Sequence, residues 1–209
     1  FLFFHYLTSK CLWPKIKMII NNKIYFIHIP KTAGRFLHET LQLNNYNIKN
    51  YNFNITFRGK ETPHLTYPEY CQYTNYRSLK KFCIVRDPVD RFLSMATDTW
   101  MLDNEKIENM FKSQNYFDET LNNICLNGLT NWFVPQHNFI DYKTKMWRFE
   151  DKFNVEFTNW LLYNFNIKIT NVADKTNYLN SNINKITLNN KQIGYIKDYY
   201  YKDYKILNY

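Results

Sequence analysis

Hydrophobic and polar positions change period several times along the chain, and each change marks an element. Ile24 to Leu37 opens as a nearly unbroken apolar run, crosses Pro30-Lys31-Thr32-Ala33-Gly34, and continues in helix-compatible residues. A continuous apolar run suits a strand buried on both faces, so the stretch reads as a parallel strand leading through a loop into a helix. Phe36, Leu37, Thr40 and Leu41 then recur at helical spacing and Asn44-Asn45 stop them, predicting a short helix over Phe36 to Leu43. Asn45 to Arg58 alternates asparagine with aromatic and β-branched residues and reads as an irregular loop or a short edge strand. Thr66 is placed to cap a helix whose first turn holds Pro68 and Glu69, which leaves His64 in the loop before it.

Lys81 to Val85 is a second apolar strand, and it runs into Arg86-Asp87-Pro88-Val89-Asp90-Arg91-Phe92-Leu93-Ser94, where Asp87 is a natural N-cap and Pro88 a natural first helical residue. Trp100 to Leu126 carries Ile107, Met110, Phe111, Phe117, Leu121, Ile124 and Cys125 periodically, which predicts one or two helices ended by Gly128. After a loop through Pro135-Gln136-His137-Asn138 come a third strand, Lys145 to Phe149, and a helix to about Asn164. Asn166 to Val172 reads as a fourth strand. From Lys191, the residues Ile193, Ile196, Tyr200, Tyr204 and Leu207 predict an amphipathic helix closing the core. No internal repeat or Gly/Ser-rich linker interrupts the pattern, so residues 23–209 read as one α/β domain, with 1–22 set aside as a leader.

Composition changes this picture little. The chain has 209 residues, 45% of them hydrophobic and 19% aromatic, enough for a sizeable core. Its formal net charge of +9 favours anionic partners, although much of the lysine alternates with asparagine in polar stretches and reflects a compositional bias equally well. Cys11, Cys71, Cys83 and Cys125 lack metal-ligand spacing, which argues against zinc; Cys83 falls in a strand, and a disulfide among the others stays open. No apolar run reaches the ~18 to 20 residues of a membrane span. Phe1 to Leu7 is a poor signal peptide, lacking a basic start and a cleavage site. Asn54-Ile55-Thr56 is a glycosylation triplet that matters only in a secreted protein.

The two strand-to-helix junctions carry the candidate chemistry. Such a junction aims backbone N–H groups and the positive end of a helix dipole at one point, which suits a phosphate or sulfate. Lys31 adds a mobile charge at the first, and Gly34 allows close approach of backbone to a ligand. The order differs from the phosphate loop of ATPases and GTPases, which needs two glycines and a Lys-Ser/Thr pair. At the second junction Arg86, Arg91 and Ser94 offer guanidinium and hydroxyl donors, an arrangement that equally suits arginines paired with Asp87 and Asp90.

Ile29-Pro30-Lys31-Thr32-Ala33-Gly34, then His64 before a helix, then Val85-Arg86-Asp87-Pro88 continuing to Ser94, resemble in order and spacing the sulfotransferases that use 3′-phosphoadenosine-5′-phosphosulfate (PAPS). The likeness is to the carbohydrate branch related to heparan sulfate 2-O- and 6-O-sulfotransferases; Pro135-Gln136, Arg148-Phe149-Glu150 and the closing Tyr/Asp-rich helix extend it over nearly all of the chain from Ile24. The resemblance implies a P-loop-NTPase-like sulfotransferase fold with a central, mostly parallel sheet flanked by helices. It implies that Lys31 and the loop Thr32, Ala33, Gly34, Arg35 and Phe36 bind the 5′-phosphosulfate, that Arg86 and Ser94 bind the 3′-phosphate, that His64 is the base, and that no metal takes part. Arg35-Phe36 departs from the hydroxyl residues usual after the glycine.

On this reading a sulfuryl group passes to a hydroxyl of a glycan-like acceptor, with Lys31 and the loop amides stabilising the leaving phosphate and His64 taking the proton. Two rivals stand beside it: a nucleotide kinase or hydrolase on a related fold, and a non-catalytic binder of polyanions or single-stranded nucleic acid. The resemblance disfavours nucleic acid as the partner. Acceptor specificity is expected from Asn45 to Arg58 and Trp100 to Asn138. Oligomeric state is left open, as is the compartment, cytoplasm or, by the resemblance, Golgi lumen with any anchor outside this chain.

Overall fold

A computed structural model describes residues 18–49, 56–57, 60–73, 78–97, 104–127, 131–174 and 186–209. Its centre is a five-stranded mixed sheet flanked by helices. The strands are β1 (Ile19–Ile20), β2 (Ile24–Ile27), β3 (Ile48–Lys49), β6 (Lys80–Val85) and β7 (Lys145–Arg148), in the spatial order β3-β1-β2-β6-β7. A separate two-stranded ribbon pairs β4 (Thr56–Phe57) with β5 (Lys60–Glu61). The helices are α1 (Gly34–Leu43), α2 (Tyr67–Tyr73), α3 (Pro88–Ala96), α4 (Asn104–Met110), α5 (Gln114–Asn127), α6 (Val155–Phe165), α7 (Asn190–Tyr199) and α8 (Tyr201–Leu207).

The apolar run at Ile24 is buried on both faces because helices cover both. Ile24, Phe26, Phe82 and Ile84 face α1 and α6, where Phe36, Leu37, Leu41, Phe157, Leu161 and Phe165 meet them. Tyr25, Ile27, Cys83 and Val85 point the other way, onto Tyr70, Val134, Phe139 and Leu207. A third cluster joins α3, α4, α5 and α7 around Phe92, Met95, Phe117, Leu121 and Ile196. Lys81 is buried in the strand, and Asp141 answers its charge at 2.6 Å.

Parallel pairing sets Phe26 beside Phe82, Ile27 beside Cys83 and Val85 beside Arg148, so β2, β6 and β7 finish at one edge. The loops that follow these strands therefore converge there, the usual place for a ligand in an open α/β sheet.

Several expectations need correction. Only the two ladders among β2, β6 and β7 are parallel; β1 pairs antiparallel with both β2 and β3. β1 lies inside the segment set aside as leader, turned back by Asn21 and Asn22, whose φ of 51° and 60° asparagine tolerates well. Asn166 to Val172 is not a strand. Ile167 is buried and Ile169 half-buried, but side chains from the end of α1 take over the backbone bonding. Asn44 Oδ1 accepts the N–H of Thr170 at 2.7 Å and of Asn171 at 3.1 Å, and its Nδ2 donates to the Asn171 carbonyl at 2.6 Å. Tyr46 Oη accepts the Lys168 N–H at 2.6 Å.

The closing helix is two helices, broken at Tyr200, whose ring is buried and whose hydroxyl donates to the Phe133 carbonyl at 2.8 Å. Cys71 and Cys83 are free thiols. Cys11, Asn54, Ile55, Trp100 and Gly128 lie outside the described residues. Among the described residues no helix is long and apolar enough to cross a membrane.

Candidate active site

The loop after β2 bends sharply, with Lys31 at φ 65° and Ala33 at φ 71°, before α1 begins at Gly34. Thr32 is fully buried and turns inward, its hydroxyl donating to the Ile29 carbonyl at 2.8 Å. Two arginines from the second junction hold this loop by its carbonyls: Arg91 Nε donates to Pro30 at 3.1 Å and Arg86 Nη1 to Lys31 at 3.4 Å. The two motifs thus meet at the ends of adjacent parallel strands.

Arg91 is 0% exposed, its Nη2 donates to the Trp132 and Val134 carbonyls and its Nη1 is buried with no hydrogen-bond partner among the described residues, so the pairing of Arg91 with Asp87 or Asp90 does not occur. Arg86 is different. Its guanidinium lies 4.6 Å from the Phe149 ring centre, and its Nε is buried with no hydrogen-bond partner among the described residues. Burial lowers its pKa, against the opposing pull of Asp90, Glu150 and Asp87. A buried donor of this kind suits an anionic oxygen, so the residues fit a phosphate here. The same corner also holds acids. Asp87 caps α3 by accepting the N–H of Val89 and Asp90, and Glu150 accepts the Asp87 N–H at 2.7 Å. Ser94 lies half-buried on α3 beyond this corner.

His64 ends a 3-10 turn, Thr62–His64, and Pro63 within the turn and Leu65 after it are also buried. Its Nδ1 lies 2.7 Å from Glu61 Oε2. Burial opposes the charge of Glu61 and is the largest single influence, yet the bond to His64, its charge, the Trp132 bond and Arg35 together outweigh it, and the carboxyl stays below its usual pKa. An ionised carboxylate only accepts, so Nδ1 carries the proton and Nε2 is the nitrogen with a lone pair. Burial holds the His64 pKa below its ordinary value although Glu61 pulls it up. Trp132 Nε1 donates to the same Glu61 oxygen at 3.4 Å. Asn131, fully buried, donates to the His64 carbonyl at 2.9 Å and to Glu69 Oε2 at 2.7 Å, tying the turn to the first turn of α2.

The link between His64 and the loop is His28, whose ring centre is 4.7 Å from that of His64. Gly34 lies directly against it: a Cβ there would stand 1.9 Å from His28 Cδ2. Lys31 Nζ rests 5.5 Å from the centre of the Trp132 ring, which places the lysine on the same wall as the histidines.

Of the residues expected to form a site, Lys31, Thr32, Ala33, Gly34, Arg86 and His64 therefore come together. Arg35 is exposed at the start of α1, near enough to lower the pKa of both His28 and His64. Phe36 is a correction. Its side chain is buried in the core, 4.8 Å from Phe153 between ring centres, and leaves only backbone for a ligand. The space at Gly34 is taken by His28, not kept open for an approaching ligand. Glu61, Asn131 and Trp132 were missed; Glu61 stands three residues before His64, but nothing local marks Asn131 or Trp132.

Among the described residues no group of three or more His, Cys, Asp or Glu side chains is arranged to hold a metal ion. Comparison with family models, curated proteins and solved structures found no match.

Proposed function

We propose that the protein is a PAPS-dependent sulfotransferase acting on a hydroxyl of a glycan-like acceptor, on a fold of the P-loop-like sulfotransferase type. The observation that carries this reading is the meeting of the two anion-suited junctions, Arg86 on the Lys31 carbonyl, beside a buried His64–Glu61 pair. Lys31 and the first amides of α1 hold the 5′-phosphosulfate, and Arg86 with Ser94 holds the 3′-phosphate. Bound PAPS supplies the sulfuryl group and the phosphate that leaves.

Glu61 fixes the tautomer of His64, whose Nε2 takes the proton of the acceptor hydroxyl as its oxygen bonds to sulfur. Lys31 and the loop amides stabilise the charge left on the phosphate oxygen, an effect of about 3 kcal/mol per donor. A second reading, a polyanion binder without catalysis, is favoured by Arg35-Phe36, where an exposed arginine and a ring buried in the core stand in place of hydroxyl side chains on the loop.

The test is calorimetry with 3′-phosphoadenosine-5′-phosphate in the absence of magnesium, beside ATP, followed by a transfer assay. Micromolar binding lost in Arg86→Ala is expected, and His64→Ala is expected to keep that binding while transfer falls by about 100-fold or more. Folded protein that binds polyanions but not the nucleotide would replace this reading with the second.

A further inference from the structure

His28 is a buried imidazole with no role in the chemistry above, and its seat is made for it. A ring 5% exposed, at the exit of β2, occupies the volume a side chain on α1 would otherwise claim. The Gly34 position tolerates no Cβ, since that atom would lie 1.9 Å from His28 Cδ2 and 2.0 Å from Nε2, far inside contact distance. On its other side His28 meets His64 in an edge-on arrangement, while Phe26 stacks on it at 5.9 Å between centroids. His64 in turn has Trp132 edge-on at 6.3 Å. The His64 ring therefore stands between two aromatic walls, with Glu61 bonded to its Nδ1.

We infer that His28 is a positioning residue for His64: seated in the space left by Gly34, its ring is the wall that keeps the His64 imidazole turned with Nδ1 on Glu61 and Nε2 away from it. The inference rests on the reading of His64 as the base, but its geometry does not. A half turn of the imidazole would set Cδ2 where Nδ1 now meets Glu61, breaking the bond that fixes its single tautomer. The groups facing the pair are Glu61, Arg35 and Arg91 around His64, Arg35 and His38 around His28, and Lys31 over Trp132. The basic groups oppose a proton on either ring, and burial does so more strongly. His28 thus acts as a neutral wall.

The experiment is NMR of the histidine side chains in the full chain. The unaltered protein is expected to show a nuclear Overhauser contact between the two rings and a single Nδ1–H tautomer for His64. In His28→Asn the His64 nitrogens should average between tautomers, and its titration should move further down as the bond to Glu61, which pulls it up, is lost. Gly34→Ala, which keeps both histidines but drives the His28 ring from its seat, should shift His64 in the same way, and Gly34→Ala with His28→Ala should recover the thermal stability that the clash removes. In the transfer assay His28→Asn should lower kcat about tenfold or more with the KM for the donor unchanged.

A folded His28→Asn or Gly34→Ala protein with an unchanged His64 tautomer and titration overturns the inference, as does the absence of the ring-to-ring contact in the unaltered protein. The spectra need no turnover. Absent sulfuryl transfer with the expected spectra would sink the proposed function and leave the positioning role standing.

Discussion

Gln136 closes both backbone groups of Arg86: its Oε1 accepts the Arg86 N–H at 3.0 Å and its Nε2 donates to the Arg86 carbonyl at 2.7 Å. The residue is 0% exposed, so water has no easy route to replace those bonds. Gln136→Ala strands a donor and an acceptor at the end of β6, and a stranded buried group costs ~1 to 3 kcal/mol. The expected loss is about 2 to 4 kcal/mol in urea unfolding, and under the proposed function binding of 3′-phosphoadenosine-5′-phosphate should weaken because Arg86 loses its fixed exit angle. A loss below about 0.5 kcal/mol would mean that solvent satisfies this corner after all. Single residues also show where pattern reading misleads. Gly34 looks like room for a ligand and is room for a histidine, because a glycine leaves space without saying what fills it.

Elements here are joined as much by side chains as by ladders. The chain after α6 has the alternating Ile167 and Ile169 of a strand, yet Asn44 and Tyr46 hold it against α1 in place of a neighbouring strand. Asn44→Ala should free this segment. Amide exchange at Thr170 and Asn171 is expected to accelerate while β2 and β6 stay protected, with a stability loss of about 1 to 2 kcal/mol for bonds that are partly solvated. Equal acceleration throughout the sheet would show that the clip belongs to the global fold. At the other end of the molecule, Arg148 donates to the carbonyls of Leu207 and Asn208, and its guanidinium stacks 4.9 Å from the Tyr209 ring centre. The sheet edge that carries the candidate site is thus tied to α8. Asp203 on α8 reinforces this, buried and accepting the N–H groups of Gln136 and His137 at 2.8 and 2.9 Å.

For the molecule as a whole, two buried histidines set the response to acid. His28 lies well below its ordinary pKa through burial and the nearby His64, Arg35 and His38, and burial lowers His64 as well. An unfolded histidine takes its proton near 6.5, so below that pH the unfolded chain binds more protons than the folded one. Stability is therefore full above about 6.5 and declines as pH falls through the window beneath it, by up to about 1.4 kcal/mol per pH unit for each histidine. Glu61 adds to the decline at lower pH, because its lowered carboxyl pKa contributes stability only above the folded value. Urea unfolding at pH 7.5 and 5.5 should show the loss, and a flat profile would place both imidazoles in water.

Read without coordinates, the chain already determined its α/β class, the strands at Ile24, Lys81 and Lys145, the helices after both junctions, and the place of Lys31 and Arg86 at those junctions. These follow from local physics: apolar runs, the Asp87-Pro88 cap and the period of the helices act over a few residues, and each is visible there. Only the tertiary structure decided that β1 and β3 add an antiparallel half to the sheet, that Phe36 belongs to the core, that Arg91 braces backbone, and that Glu61, Asn131, Trp132 and His28 converge on His64. Those outcomes depend on which surfaces meet, and Asn131 reaches the His64 carbonyl across 67 positions of chain. No pattern within a window of the sequence carries that distance, whereas burial and the need to satisfy each buried polar group do.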